Sequence, residues 1–448
     1  MSVSVLKTHL LALVLALVVC SCGVGNRHQA QYRDKKFYAD AMHIVATVCE
    51  NTSDAVTVNY HCNNDSSYVL YTKASDESFK NAVRIDPDCR LWSTKGIENT
   101  SETSTFFTHE RYVCTAGISG LDPDTKYLYK VVAGNHIEYG PYTFSTSGRA
   151  GKWNFVAFTD FQHRKNPLTH KLIADMKDLC NPPLVICSGD MVDVGGKEDE
   201  WNWLLNGKDL DGKEFKDFVF AASPGDHEYW ADDTGGKYPQ YTAPHTYNNI
   251  FKFPSNGDPQ SRNSSYFFRW NNALFVSLDM NNSNVASGAR FDSQARWFEK
   301  TLDSLRGTYK YLIVFMHKSI YGSSIVDGVV AKKLRPQWAP LFSKYDVDLV
   351  LSGHDHIYSR TYQLYDGKPT SDGKGTYYLD MGSSGDKRRS VDALLSEQDG
   401  IHQKVIDLKT LGLSFACNVE VTSRNMKVTI YNQNKEIVDS FTIKAKKR

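Results

Sequence analysis

The chain has 448 residues, more than one domain usually contains, so its length predicts two domains with additional segments. Hydrophobic residues make up 41% and charged residues 23%, as in ordinary globular proteins, and the 25 tyrosines favour β-rich structure. The formal net charge of +1 excludes a general electrostatic attraction to nucleic acid or to an anionic membrane, so no specific nucleic acid partner is expected.

The first 22 residues have the pattern of a signal peptide of the lipoprotein type. The apolar run at 10–20 is too short to cross a bilayer about 30 Å thick. Ser21 before Cys22 is typical of a bacterial lipoprotein cleavage site, which would leave Cys22 lipidated and the protein anchored at a membrane. The alternative is plain secretion without lipid. The polar segment 23–41 is predicted to be a linker.

Four of the nine cysteines fall in one segment. Cys49, Cys62, Cys89 and Cys114 allow three pairings, and one or two disulfides are expected there if the compartment is oxidising. Cys187 lies in an apolar run and is predicted to be a buried thiol. No spacing among the nine predicts a zinc–thiolate site.

Residues 42–148 are predicted to form an all-β sandwich. Short alternating runs such as HIVATVC, AVTVNYHC, SYVLYTK and KYLYKVVAG are separated by turn residues at short intervals. The stretch GLDPDTKYLY, which begins at Gly120, resembles the turn and strand of fibronectin type III-like domains.

From residue 152 to residue 448 the pattern predicts an α/β layered domain. Apolar strands alternate with amphipathic segments, such as PLTHKLIADMKDL and DSQARWFEKTLDSLRG, that have helical periodicity. The strands from about Phe415 to Lys444 are predicted to complete the sheet of this domain. The charged run at 197–200 is predicted to be solvated surface.

Predicted strands of this second domain end in residues that bind metals. WNFVAFT is followed by Asp160, PLVICSG by Asp190, FVFAASPG by Asp226, YLIVFM by His317, and VDLVLSG by His354 and His356. A single terminal Asp is usually a turn or helix cap, and a single His is usually a satisfied surface or core residue. Ligands of open α/β sheets bind beyond the carboxyl ends of the strands, so five such ends predict one shared site.

This mixture of side chains predicts a site for two metal ions. Metal ions roughly 3.5–4 Å apart need a bridging carboxylate, and they clamp the attacking and leaving oxygens of a phosphoryl transfer. Imidazole and carboxylate ligands without thiolate favour manganese, iron or zinc. A hydroxide held by the two metals is the expected nucleophile.

The pattern resembles the metallophosphoesterase (calcineurin-like) superfamily and, together with the β-sandwich, is similar to purple acid phosphatases. The stretches QWAPLFSKYDVDLVLSGHDHIYSR and VDSFTI support the resemblance. It implies a fibronectin III-like sandwich followed by a four-layer α/β/β/α domain, built from two mixed sheets flanked by helices. It also implies a phosphate-ester small molecule as the substrate.

The resemblance implies a role for each candidate residue. One metal would be bound by Asp160, Asp190 and His356, with Gln162 as an extra ligand. The second metal would be bound by the bridging residue Asp190 together with Asp226, His317 and His354. His227 would lie beside the leaving group as an acid or a phosphate contact.

Three positions depart from the family pattern. Asp193 stands where purple acid phosphatases have a tyrosine, so we expect activation by divalent metals without a coloured ferric–phenolate centre. Gln162 stands in place of a histidine, and its amide oxygen would be a weaker, neutral ligand. Asp226 replaces the usual asparagine. The carboxylate of Asp193 is predicted to orient His227, and the alternative is a plain turn residue.

The leading function is hydrolysis of phosphate monoesters by an acid phosphatase-like enzyme. Phosphodiesters or nucleotide pyrophosphates are the alternative substrates of the same site, and the departure at Gln162 keeps this alternative open. A third hypothesis is a surface binding protein with a decayed site. The presence of Asp190 and of the histidines argues against it, because a decayed site should lack ligands.

Overall fold

This computed structural model describes residues 40–100, 103–149, 151–162, 167–206, 215–230, 244–281, 289–323, 325–371, 373–391 and 400–446. The predicted signal peptide, with Cys22, and nearly all of the predicted linker lie outside this part. Within the described ranges, no helix is both long and apolar enough to span a membrane.

The N-terminal strands form two facing layers. Their bounds are β1 (Ala41–Thr47), β2 (Ala55–Cys62), β3 (Tyr68–Lys73), β4 (Val83–Ile85), β5 (Asp88–Thr100), β6 (Thr103–Ser119), β7 (Lys126–Val132) and β8 (Glu138–Ser145). One layer has the order β4-β3-β7-β8 and the other the order β1-β2-β6-β5. Inward residues of both layers, such as Val58, Tyr60, Tyr129 and Val131, share one core. The predicted β-rich N-terminal domain is confirmed.

A disulfide links β5 to β6 within this domain. Cys89 and Cys114 lie opposite each other in the antiparallel pair and are bonded. Cys49 and Cys62 are free thiols in the structure. Cys187 is a fully buried free thiol, as predicted.

The remaining elements build the second domain. Its strands are β9 (Lys152–Phe158), β10 (Leu184–Cys187), β11 (Val219–Ala222), β12 (Tyr266–Trp270), β13 (Ala273–Leu278), β14 (Tyr311–Lys318), β15 (Leu349–Gly353), β16 (Tyr358–Thr361), β17 (Leu364–Tyr365), β18 (Lys368–Pro369), β19 (Tyr377–Met381), β20 (His402–Ile406), β21 (Phe415–Thr422), β22 (Asn425–Asn432) and β23 (Ile437–Lys444). Its helices are α1 (Pro167–Cys180), α2 (Glu198–Asn206), α3 (His245–Ile250), α4 (Ala289–Leu305), α5 (Ile325–Lys344) and α6 (Leu408–Leu411).

Two mixed sheets pack face to face in the second domain. In one sheet β9, β10 and β11 are parallel and β21–β23 are antiparallel, as predicted for the closing strands. The other sheet has the order β12-β13-β14-β15-β19-β16-β20. Phe155 and Phe275 meet between the sheets, with ring centroids 5.2 Å apart.

Helices cover the outer faces of both sheets. Leu172 and Met176 of α1 are buried in the core of the first sheet. Phe298 and Leu302 of α4 are buried with Trp338 of α5 against the second sheet. Both amphipathic segments are therefore helices, and the predicted four-layer α/β/β/α arrangement is confirmed.

The N-terminal layer β1-β2-β6-β5 continues the first sheet of the second domain. β1 pairs in parallel with β11, and the backbone amide of Val48 donates to the carbonyl of Phe220 at 3.1 Å. The ten-stranded sheet therefore has the order β23-β22-β21-β9-β10-β11-β1-β2-β6-β5. The sequence analysis did not predict this continuity.

The prediction that residues 197–200 are solvated surface is wrong. This run leads into α2, and Lys197, Glu198 and Glu200 are all buried. Buried charges need partners, and both glutamates have them: Glu198 pairs with Arg111, and Glu200 accepts hydrogen bonds from two backbone amides of the loop after β10.

Candidate metal centre

Strand ends from both sheets converge at one place, as predicted. Asp160 follows β9, Asp190 follows β10, Asp226 follows β11, His317 lies near the end of β14, and His354 and His356 follow β15. They form two groups whose ligand atoms all lie within 4.8 Å of one another: Asp190, Asp226, His317 and His354 in one, and Asp160, Asp190 and His356 in the other. Asp190 belongs to both groups, as a bridging residue must.

In the first group two imidazoles face two carboxylates. His317 Nε2 lies 3.2 Å from Asp190 Oδ2 and 3.2 Å from Asp226 Oδ1. His354 Nδ1 lies 3.0 Å from the same oxygen of Asp226. On its other side, His317 Nδ1 lies 2.9 Å from the carbonyl oxygen of Ser188, to which it donates. That hydrogen bond directs the lone pair of Nε2 into the site, as in metal-binding histidines.

The second group has the same construction. His356 Nδ1 donates to the carbonyl of Lys387 at 2.9 Å, which leaves Nε2 facing Asp160 Oδ1 at 3.4 Å. Asp160 Oδ2 accepts from the His354 amide at 2.9 Å and from the Thr159 hydroxyl at 2.6 Å. Asp160 Oδ1 is buried and accepts no hydrogen bond from the described part of the chain.

The charges of the site favour cations. Burial alone would raise the pKa of Asp190, but His317 and His227 hold that pKa below its ordinary value. Burial would lower the pKa of His317, yet Asp190 and Asp226 raise it well above the usual range. The carboxylates therefore outweigh burial in attracting positive charge. Together with the inward lone pairs and the unsatisfied Asp160 oxygen, this fits a pair of divalent cations.

Backbone strain is concentrated at these residues. Four of them have φ angles in the left-handed region, which residues other than glycine usually avoid: 51° at Asp160, 51° at Asp190, 76° at His354 and 54° at His356. Such conformations cost about 1–3 kcal/mol each and persist at functional sites because the surroundings fix them. Gly225 leaves room for the bridge, since a Cβ there would lie 2.0 Å from Asp190 Oδ1.

Family models match both parts of the chain. Residues 153–358 match the calcineurin-like phosphoesterase model, and residues 41–146 match the model of the purple acid phosphatase N-terminal domain. The chain therefore contains a calcineurin-like phosphoesterase domain preceded by a purple acid phosphatase N-terminal domain. The predicted resemblance to metallophosphoesterases and purple acid phosphatases is confirmed.

Individual relatives agree with this placement. An uncharacterised protein of Mycobacterium tuberculosis is 26% identical over 279 residues, which are 56% of this chain and 50% of that protein. The Fe(3+)-Zn(2+) purple acid phosphatase of Arabidopsis thaliana is 24% identical over 331 residues, 68% of this chain and 66% of the relative. The solved structure of a purple acid phosphatase from yellow lupin seeds has a TM-score of 0.71 at 17% identity, covering 90% of this chain and 74% of that one. The chain thus has the lupin protein's fold, and it spans about half the length of its mycobacterial relative.

Gln162 lies beside the shared carboxylate Asp190 of the candidate metal centre. Its Nε2 donates to Asp190 Oδ2 at 3.0 Å, and its Oε1 is buried without a hydrogen-bond partner among the described residues. The oxygen that the sequence analysis nominated as an extra ligand is therefore available.

His227 lies beside the bridging carboxylate. Its backbone amide donates to Asp190 Oδ1 at 3.0 Å, and its ring stacks on Trp230 with centroids 3.9 Å apart. Its Nδ1 lies 2.5 Å from the backbone carbonyl of Asp193 and 3.6 Å from the carboxylate of the same residue. The sequence analysis predicted that the Asp193 carboxylate orients His227. The carbonyl makes the closer contact, because the turn after β10 points it at the ring.

Sequence analysis missed two residues of the site. Lys387 places Nζ 3.3 Å from His227 Nε2, while its carbonyl holds His356. Glu228 accepts hydrogen bonds from backbone N–H groups of the loops that carry Asp190 and Asp226. The available signals were weak. They were a basic triplet after a Gly/Ser stretch for Lys387, and for Glu228 an acid directly after the predicted ligand Asp226 and the predicted catalytic residue His227.

The carboxyl group of Glu228 is under opposing influences. Burial and the negative charge of Asp190 raise the pKa of Glu228, while the hydrogen bonds from the amides of Gly225 and Met191 work against the rise and favour the ionised form. Both of its oxygens accept hydrogen bonds from backbone N–H groups, so the side chain connects the loop that carries Asp190 to the loop that carries Asp226.

Proposed function

We propose that this phosphoesterase hydrolyses phosphate monoesters at a dinuclear metal centre. The observation that carries the proposal is the position of Asp190, one buried carboxylate shared by two groups of ligand atoms. Two divalent ions at such a centre would polarise the phosphoryl oxygens and offset the negative charge that develops on them.

Each group of side chains would hold one ion. Asp160 and His356, with the free amide oxygen of Gln162, would hold the first ion; Asp226, His317 and His354 would hold the second; Asp190 would contact both. Imidazole and carboxylate donors suit manganese, iron or zinc. The Arabidopsis relative, whose name records iron and zinc, supports this range of metals.

His227 and Lys387 would act on the substrate itself. Because Nδ1 of His227 donates to a carbonyl, Nε2 is the ring atom that can hold or give a proton. That atom lies 3.8 Å from Asp190 Oδ2, beside the proposed centre, and could protonate the leaving alkoxide. The Lys387 ammonium, 3.3 Å from Nε2, adds a positive charge on the same side.

This added charge is the reason to favour monoesters. A phosphate monoester carries up to two negative charges and a diester only one, so Lys387 attracts the monoester more strongly. Gln162 is neutral where the family has a histidine, so this position adds no positive charge that would strengthen the binding of a diester.

A panel of phosphate mono- and diesters tests the proposal, run after reconstitution with manganese, iron or zinc. We expect kcat/KM to favour monoesters, and Lys387→Met to reduce that preference by about tenfold or more, equivalent to ~1.4 kcal/mol. Lys427→Met, at an exposed lysine of β22, is the matched control. Faster turnover of diesters or pyrophosphates would replace the proposal with its alternative, and no turnover with metal bound would favour a binding protein.

We also propose that the protein is exported and anchored through a lipid on Cys22. The apolar run at 10–20 and the small residue before Cys22 support this. Cys22→Ala should move the protein from the membrane fraction to the soluble fraction, while Cys20→Ala should not. Unchanged membrane association of the Cys22 variant would exclude the lipid anchor.

A further inference from the structure

A separate cluster of ligand-type side chains lies between the N-terminal strands and α2. It consists of His43 on β1, His61 on β2 and Glu198 at the start of α2, and it shares no residue with the dinuclear centre. All three side chains are fully buried, and their ligand atoms lie within 4.8 Å of one another.

The hydrogen bonds of His43 fix the position of its ring proton. His43 Nε2 lies 2.6 Å from Asn202 Oδ1. The orientation of the Asn202 side-chain amide is set by Asn206. Asn206 Oδ1 accepts a hydrogen bond from the His43 backbone amide at 3.0 Å, so Asn206 Nδ2 is free to donate to Asn202 Oδ1 at 3.1 Å. Because Asn202 presents an acceptor, Nε2 of His43 must carry the hydrogen, and Nδ1 of the neutral ring carries a lone pair.

The same reasoning applies to His61. Its Nε2 lies 2.8 Å from the backbone carbonyl oxygen of Asn249, which can only accept, so Nε2 carries the hydrogen. The Nδ1 atoms of His61 and His43 therefore both carry lone pairs, and they face each other at 3.1 Å. Two acceptors at this distance repel each other unless a cation lies between them.

Glu198 supplies a negative charge beside the two rings. One carboxylate oxygen, Oε1, pairs with the guanidinium of Arg111. The other oxygen, Oε2, is buried and accepts no hydrogen bond from any residue that the structure describes. The cluster thus offers two imidazole lone pairs and one unsatisfied carboxylate oxygen.

We propose that His43, His61 and Glu198 bind a structural transition-metal ion, with zinc as the best match. Two nitrogens bound tetrahedrally to zinc at 2.0–2.1 Å lie roughly 3.3 Å apart, close to the 3.1 Å between the Nδ1 atoms. Both rings donate their other N–H to a carbonyl oxygen, which is the usual second contact of metal-binding histidines. Imidazole and carboxylate ligands also admit iron, cobalt or nickel.

A proton shared by the two rings is the competing explanation. Both rings are fully buried, and the guanidinium of Arg111 lies beside them in its pair with Glu198, so an additional imidazolium charge would be costly here. The charge of Arg111 opposes a metal ion as well. A metal ion, however, would gain coordinate bonds to two nitrogens and to the Glu198 carboxylate, whereas a shared proton gains one hydrogen bond.

The position of the site suggests what the ion would stabilise. It would join β1 and β2 to α2, and α2 also carries Glu200. Glu200 accepts from the backbone amides of Asp193 and Val194 at 2.7 and 3.0 Å, which holds the loop that contacts His227. The ion would therefore fix the helix that supports one wall of the dinuclear centre.

Metal counting on the full chain tests the proposal. The protein is stripped with a chelator, reloaded with Zn²⁺ alone, desalted and analysed by mass spectrometry of the metal. We expect His61→Leu to hold one zinc fewer per chain than the wild type. His136→Asn, at an exposed histidine outside the cluster, should hold as much zinc as the wild type. The difference between variants does not depend on how many ions the dinuclear centre binds, so failure of one proposal is distinguishable from failure of the other.

A second variant and an NMR measurement distinguish the loss of a metal ligand from misfolding. If His61→Leu does not fold, Glu198→Gln, which keeps an acceptor for Arg111, should show the same loss of one zinc. Equal zinc content in the wild type and a folded variant would overturn the proposal. So would a far-downfield N–H···N proton resonance of the wild type that persists unchanged when zinc is added, because it would show a shared proton in place of the ion.

Discussion

Glu228 offers a sharp test of how the loops of the dinuclear centre are held. Its Oε2 accepts from the backbone amides of Asp190 at 2.9 Å and Gly225 at 2.5 Å. Its Oε1 accepts from Met191 at 2.8 Å and, more weakly, from Val192 at 3.4 Å. Glu228→Gln keeps the size of the side chain but replaces one oxygen with an NH₂ group. Whichever way the amide turns, a donor then faces two N–H donors.

The expected cost follows from these contacts. A hydrogen bond to a charged group contributes about 1.5–3 kcal/mol, and the variant loses two of them, so the free energy of unfolding should fall by about 3–6 kcal/mol. Asp190 is one of the residues whose backbone is released. Loss of a group that orients metal ligands typically weakens metal affinity by about 10–100-fold, and we expect that loss here.

Urea unfolding of metal-free protein and titration with Zn²⁺ measure the two effects. Glu299→Gln is the matched control, because Glu299 is 37% exposed and pairs with Lys344 at the surface; it should change stability by less than about 1 kcal/mol. If Glu228→Gln unfolds at the same urea concentration as the wild type and binds zinc equally well, the side chain is not an ionised acceptor. In that case Glu228 does not hold the loops that carry Asp190 and Asp226.

Three further outcomes are expected from the dinuclear centre. Asp190→Ala should lose at least one metal and nearly all turnover, because no other residue belongs to both ligand groups; normal metal content and activity would contradict the bridge. His227→Ala should slow alkyl phosphates far more than aryl phosphates, by about 10²–10⁴-fold in the alkyl case; equal slowing would make His227 a binding residue only. The purified enzyme should lack a strong visible band, because Asp193 replaces the family tyrosine and the Tyr229 hydroxyl donates to Asp279; a purple band lost on mutating a tyrosine would refute this.

The clustering of the proposed metal ligands could be predicted because its signals are local. Each ligand follows a short apolar strand, and the carboxyl ends of such strands meet at one edge, so sequence order alone brings Asp160, Asp190 and Asp226 together. Lys387 could not be placed in this way. It belongs to an irregular segment after β19, and only the folded chain brings its side chain to His227.

The burial of α2 shows a second limit of sequence reasoning. A run of four charged residues is normally solvated, and nothing near 197–200 indicates otherwise. The partner of Glu198 is Arg111, far away in the sequence on β6. Long-range charge pairing overrides the local pattern here, and a local pattern cannot reveal it.

The position of β1 changes the role of the N-terminal domain. All seven residues of this strand, Ala41–Thr47, are buried, which is typical of a central strand covered on both faces and unlike the half-exposed strand of an independent sandwich. β1 lies between β11 and β2 in one continuous sheet. Without it, β11, the strand that leads to Asp226, would present an unpaired edge, and α2 would lose the hydrogen bond that Asn206 accepts from the His43 amide. The N-terminal domain is therefore a structural part of the phosphoesterase fold. Through β1 it contacts β11 and α2, which carry or hold loops of the proposed dinuclear centre.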